Sequence, residues 1–255
     1  MISAAMAQDA APASAQAAEL YQTLLSSVGA LVPASDDTSV VAHWPHVGSS
    51  YDGLAIVGQA LRGWPDEFDP AGFRSAASRT DAMAVIHRRT AGRTEPMDWL
   101  ATSRVRNSPF WTVARLATEG LTSGGGPWFS RFAWLNLYPL APELGNPGGW
   151  LREAQDPHVG SLLRALINMI RARTVIALVG PFWWPTGSSP YFADLEHRPR
   201  PLIRRGAIDG RTWVVGWHPG GASRRGYSAR TYAEMLINES RELANEQAVS
   251  ASPPR

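Results

Sequence analysis

Thr174-Val-Ile-Ala-Leu-Val-Gly180 decides the fold. It follows directly on Val159 to Arg171, where Leu162, Leu163, Leu166, Ile167 and Ile170 recur at helical spacing. A helix feeding a short apolar run that ends in glycine reads as an αβ unit, its strand buried on both faces of a parallel sheet. Three more runs of this kind lie around it: Leu54 to Val57, which continues into Gly58-Gln59, Phe132-Ala-Trp-Leu-Asn-Leu-Tyr138, and Trp213-Val-Val-Gly-Trp-His-Pro219. The stretches between them are long enough for crossover helices. The expectation is an α/β fold of three layers, αβα, around a central, mostly parallel four-stranded sheet.

Working outward, Glu19 to Leu31 carries Leu20, Leu24, Leu25 and Val28 at helical spacing and predicts an opening helix. Val32 to Ser50, with Pro33 and Pro45, reads as loop, and Asp66-Glu67-Phe68-Asp69-Pro70 is turn-like. Thr80 to Arg89 fits either a short helix or an edge strand. Ser108 is placed to cap a helix over 112–121 with Pro109 in its first turn. Tyr138 to Pro147 is a Pro- and Gly-rich loop longer than a simple turn, Phe182-Trp-Trp-Pro185 opens an aromatic loop, and Ala229 to Ala244 predicts a closing helix. Residues 1–18 are expected to be a disordered lead-in, 19–244 a single domain, and 245–255 a disordered tail.

The 255 residues are 44% hydrophobic and contain no cysteine. A core of ordinary size is available, while disulfides, thiolate nucleophiles and iron–sulfur ligation are excluded. All 24 basic residues are arginine, so a Schiff-base step would have to use the terminal amine. No long apolar span or secretion signal stands out, and a cytoplasmic protein without membrane contact is expected. His43 and His46 flank Trp44-Pro45 without evident partner ligands, so neither metal nor cofactor is expected. Net charge is only +2, but arginine gathers around the last apolar run, from Arg198 and Arg200 to Arg224, Arg225 and Arg230. Guanidinium groups there suit phosphates, and a merely solvated arginine surface is the alternative.

In open parallel sheets ligands bind beyond the carboxyl ends of the strands. Gln59, Arg62, Asn136, Tyr138 and His218 all fall at such ends. The four segments, in this order over about residues 50 to 240, resemble the uracil-DNA glycosylase superfamily. There a first strand ends in Gly-Gln-Asp-Pro-Tyr-His or a variant, matched in part by Gly58-Gln59-Ala60-Leu61-Arg62-Gly63. A second ends in an asparagine, here Asn136. A third ends in glycine, and the last carries a His-Pro loop, here His218-Pro219-Gly220-Gly221-Ala222-Ser223.

The resemblance implies a flipped nucleotide whose base is stacked in a pocket, read at its edge and released by cleavage of the N-glycosidic bond. His218 would stabilise charge on the departing base, with a capping or core histidine as the alternative. Asn136 would read the base edge, or else tie two strands together. Ala60 stands where the familiar branch has its water-activating aspartate, and Arg62 where a tyrosine excludes 5-substituted bases. Gln59, Asn136 or the nearby Asp66 could orient the water, although Asp66 also suits a hydrated turn. Arg62, Trp64, Tyr138, Asn146 and Trp183 are candidates for the base pocket. Ser223, Arg224, Arg225 and Arg205 are candidates for contact with DNA, the one partner expected. The resulting expectation is a monofunctional DNA glycosylase acting on a bulky modified pyrimidine, such as hydroxymethylated or glucosylated cytosine of phage DNA, in defence. A catalytically silent binding member and a uracil-DNA glycosylase are the alternatives. An unrelated α/β hydrolase lacks support, since neither a Gly-x-Ser-x-Gly elbow nor a Walker loop is present.

Overall fold

The computed structural model describes residues 4–34, 36–60, 67–88, 95, 97–102, 108–143, 145–184 and 192–250. Its strands are β1 (Val40–Ala42), β2 (His46–Val47), β3 (Leu54–Ala60), β4 (Glu67–Phe68), β5 (Phe132–Tyr138), β6 (Leu140–Pro142), β7 (Thr174–Leu178), β8 (Glu196–His197), β9 (Leu202–Ile208) and β10 (Arg211–Gly216). Its helices are α1 (Ala4–Leu31), α2 (Ala76–Arg88), α3 (Pro109–Leu121), α4 (Gly149–Met169), α5 (Pro219–Ser223) and α6 (Ala229–Ser250).

The four expected strands lie side by side and parallel, in the order β5-β3-β7-β10. The expected four-stranded sheet is nonetheless too small. Among the described residues it has seven strands of mixed direction, because β2 adds antiparallel to β5, β9 to β10 and β8 to β9. A separate three-stranded antiparallel sheet, β4-β1-β6, forms from segments read as loop and turn. These additions escape an apolar-run search because they are two or three residues long or, in β9, because Arg204 and Arg205 interrupt the pattern.

The central strands are almost wholly buried. The crossover β3-α3-β5 runs one way along the sheet and β5-α4-β7 the other. Right-handed connections therefore set α3 and α4 on opposite faces. Helix α1 packs on α4, and α6 on α3 and β10. Tyr21, Leu24, Leu25 and Val28 form the buried stripe of α1, and Ser27 donates to the carbonyl of Ala154 across the interface (3.0 Å). Two expectations about the chain ends are revised. Helix α1 begins at Ala4 and buries Ala17, and α6 continues to Ser250, so helix replaces the expected disorder over 4–18 and 245–250. Alanine-rich composition, read as disorder, is equally a strong helix former. Over 80–88 the chain is helix, within α2. No described helix is long and apolar enough to cross a membrane.

On the α6 face, Gly216 ends β10 directly under Tyr232, whose buried hydroxyl donates to the carbonyl of Trp217 (2.7 Å). A Cβ at position 216 would overlap that hydroxyl and crowd Leu236 at 3.3 Å. Gly216→Ala is expected to lower stability by about 1–3 kcal/mol, as overpacked cores do, and to displace the chain entering His218. A urea unfolding midpoint equal to that of the parent would refute this account.

Candidate functional site

A cleft of about 510 Å³ opens at the carboxyl ends of β3 and β5, where the crossover direction switches. Its described lining includes Gly58, Gln59 and Ala60 of β3, Asn136 of β5, Asn146, His218, and an aromatic wall. Four candidates from distant segments, Gln59, Asn136, Asn146 and His218, thus share one cavity. Among the described lining residues there is neither a carboxylate nor a cation.

Asn136 is 3% exposed. Its partner in the parallel register is Gly58, and a Cβ there would lie 2.7 Å from Asn136 Oδ1, so the missing side chain makes room for the amide. Asn136 Nδ2 is buried and has no hydrogen-bond partner among the described residues. The contrast with Gln155, fully buried on α4, is informative. Gln155 accepts from Leu140 N (3.0 Å) and donates to the carbonyls of Leu140 (2.9 Å) and Leu151 (3.1 Å). Gln155 is a structural amide, whereas Asn136 ties no strands together. A buried donor without a partner is costly, and among the described residues Asn136 Nδ2 shares that state with Gln247 Nε2 and Trp184 Nε1; what sets it apart is its place in the wall of the cleft.

Gln59 donates from Nε2 to the carbonyl of Val179, which fixes the amide. Its Oε1 is left as the available acceptor. His218 caps α5 and accepts at Nδ1 from the backbone N–H of Gly220 (3.3 Å). That acceptance leaves the neutral ring's proton on Nε2. Burial, aided by the positive charge of Arg224, holds the His218 pKa below its ordinary value. The ring is therefore a neutral hydrogen-bond donor at neutral pH, stacked 5.9 Å from Phe110.

Phe110, Trp111, Trp99 and Trp134 build the wall by edge-on contacts: Phe110 with Trp111 (4.7 Å), Trp111 with Trp134 (5.0 Å) and Trp99 with Trp111 (5.4 Å). In the sequence Phe110-Trp111 precedes the helical stretch over 112–121, and Trp111 is one of several tryptophans that suit stacking on a base, with nothing local to single out the pair. What assigns the pair to the site is that α3 starts above the end of β3, a tertiary fact.

Several candidates are placed elsewhere. Tyr138 is fully buried outside the described lining and donates to Asp156 (2.6 Å), with burial pushing its pKa up. Trp183 meets Tyr138 edge-on at 5.4 Å and lies under Arg152 at 4.8 Å. Both brace the α4 side of the sheet rather than lining the described cleft. Arg205 is not a free phosphate contact, because Glu239 (3.0 Å) and Glu242, Glu246 and Glu196 bind it between β9 and α6. Ser223, Arg224 and Arg225 are exposed in and just after α5. Arg62, Trp64 and Asp66 lie outside the described residues. Among the described residues no group of three or more His, Asp or Glu is placed to hold a metal ion.

No protein-family model matches the chain, and no curated protein does. The site is therefore read from its own chemistry. Asn136→Leu removes an unpartnered buried amide while keeping its shape, and is expected to leave stability unchanged or raise it by about 1–3 kcal/mol while abolishing ligand binding. A large drop in the thermal midpoint would instead assign Asn136 a structural role.

Proposed function

We propose that the chain is a monofunctional DNA glycosylase that accepts an extruded base in the cleft and hydrolyses its N-glycosidic bond. The single observation that carries this reading is the buried, unpartnered Asn136 amide, set beside a stacking wall and a neutral histidine donor. A base edge offers donors and acceptors for a carboxamide, and its flat faces suit Phe110 and Trp111.

The chemistry follows from the group positions. As the C–N bond breaks, negative charge gathers on the base and positive charge on the sugar. His218 Nε2–H donates to a base oxygen as that charge grows, without transferring its proton. Gln59 Oε1, fixed through its own Nε2, accepts from a water and aims it at the sugar carbon. The water oxygen bonds that carbon, the base leaves, and the water's second proton goes to the departing base or to solvent. An oxocarbenium-like centre accepts a water that is oriented but not deprotonated, which suits the absence of a carboxylate at Ala60.

The volume of the cleft and the small Ala60 side chain favour a bulky modified pyrimidine, such as hydroxymethylated or glucosylated cytosine, over plain uracil. A role in removing modified phage DNA rests on that preference. The second reading is a catalytically silent member that binds the same base, and the lack of a carboxylate in the described lining favours it.

Duplexes carrying uracil, hydroxymethylcytosine or glucosylated cytosine, incubated with the protein and then treated with alkali, separate these readings. Strand breaks are expected on a modified cytosine, with loss on Asn136→Ala and His218→Ala. Binding without breaks on any substrate selects the silent reading.

The low pKa of His218 gives a second expectation. Excision should be flat through neutral pH and fall only in acid, below about 6.5, once the ring protonates and Nδ1 no longer accepts from Gly220. The stability linkage has the same sense. Protonation is disfavoured in the folded state, so His218 contributes stability above the unfolded pKa that is lost as pH falls toward the folded one. A rate that rises on acidification would exclude the neutral-donor role.

A further inference from the structure

Most described arginines near the last strands are already engaged. Arg198 and Arg205 face Glu239, and Arg204 donates to the carbonyl of Leu195. Arg200, Arg224 and Arg225 differ: each is exposed, and none has a carboxylate partner among the described residues. Two of them share one support. The guanidinium carbon of Arg225 stands 3.9 Å from the ring centroid of Trp217, and that of Arg200 stands 5.5 Å from it.

Trp217 is a rigid support. It is 5% exposed, its N–H donates to the carbonyl of Pro201 (3.0 Å), and its carbonyl accepts from Tyr232 (2.7 Å). It also immediately precedes His218. A guanidinium stacked on an indole loses rotamer freedom in advance while its N–H donors remain unspent. A carboxylate partner would have neutralised the charge, and an aromatic one does not. The pair is thus arranged for an anion that arrives from outside.

We propose that Arg200 and Arg225, held on Trp217, form a preorganised clamp for the phosphodiester backbone of the strand whose base enters the cleft. This assignment rests on the proposed function and adds to it a backbone contact from the segment before β9. One further feature of the same sheet edge favours nucleic acid over an acidic protein. Phe182 is 82% exposed, and Arg152 holds its carbonyl at 2.8 Å. It follows by two residues Gly180, where an added Cβ would lie 3.6 Å from His218 N. An exposed aromatic ring beyond the end of β7 is a stacking surface for a base, which a bare polyanion does not need.

The test uses labelled oligonucleotides containing only ordinary bases, so that excision plays no part. Affinity is measured by fluorescence anisotropy across a salt series. Arg200→Ala and Arg225→Ala are each expected to reduce the slope of log affinity against log salt by about 0.7–0.9, the share of one phosphate contact. Arg164→Ala, on α4 and paired with Asp209, should leave it unchanged. Arg225→Lys should keep the slope but bind more weakly, because the charge survives and the planar stack does not. Phe182→Ala should weaken binding of the oligonucleotide without altering the slope. Unchanged slopes in both alanine variants overturn the clamp, as does polyglutamate competing as well as the oligonucleotide at equal charge. Should excision fail on every substrate while the slopes change as expected, the clamp stands and the glycosylase reading alone falls.

Discussion

Parallel pairing of β3 with a neighbour on each side is the constraint on which the rest depends. Val57 pairs with Leu135 and Ala177, and Gly58 pairs with Asn136. On the far side of β7, Gly216 of β10 pairs with Leu178. In this register the apolar runs stop together, and whatever follows each run arrives at one edge. Gln59, Asn136, Gly180 and His218 are neighbours for that reason alone. A register shift of one residue would turn the buried side chains of a strand to its other face and scatter the edge.

That edge treats its polar groups unequally. Gln59 is tied to Val179 and His218 to Gly220, each through one atom, and each keeps a second polar atom unspent. Among the described residues, nothing accepts from the buried nitrogen of Asn136. Gln155, fully buried on α4, is by contrast satisfied by three hydrogen bonds to the backbone of β6 and α4, while Gln247 Nε2 on α6 shares the unpartnered state of Asn136. The difference separates polar groups that hold the fold from polar groups held by it. The aromatic wall has the same standing, since α3 and β5 fix Phe110, Trp111 and Trp134 while one side of them faces the cleft.

Arginine is divided in a similar way. A chain without lysine uses guanidinium both to cement its layers and to meet the outside. Arg205, 12% exposed in its side chain and surrounded by glutamates of α6, belongs to the first group. Arg200 and Arg225 belong to the second, because their support is an indole that leaves their charge uncompensated. Membership follows from what faces each residue across the fold, not from its distance along the chain to the His-Pro loop.

The sequence by itself determined the four central strands, the helices over 112–121 and 159–169 between them, and the meeting of Gln59, Asn136 and His218. Those depend on apolar runs and on the rule that parallel strands end at one edge, and both are written in local order. It did not determine the antiparallel strands β2, β8 and β9 or the small sheet β4-β1-β6, because strands of two or three residues, or strands carrying arginine, owe their existence to a neighbour's unpaired backbone. The partners of Tyr138 and Arg205 are equally a matter of folding: Asp156 of α4 and Glu239 of α6 bond them across the fold. Whether a polar side chain is bonded, and whether an arginine is neutralised, are properties of pairs brought together by folding, and the tertiary structure alone decided them.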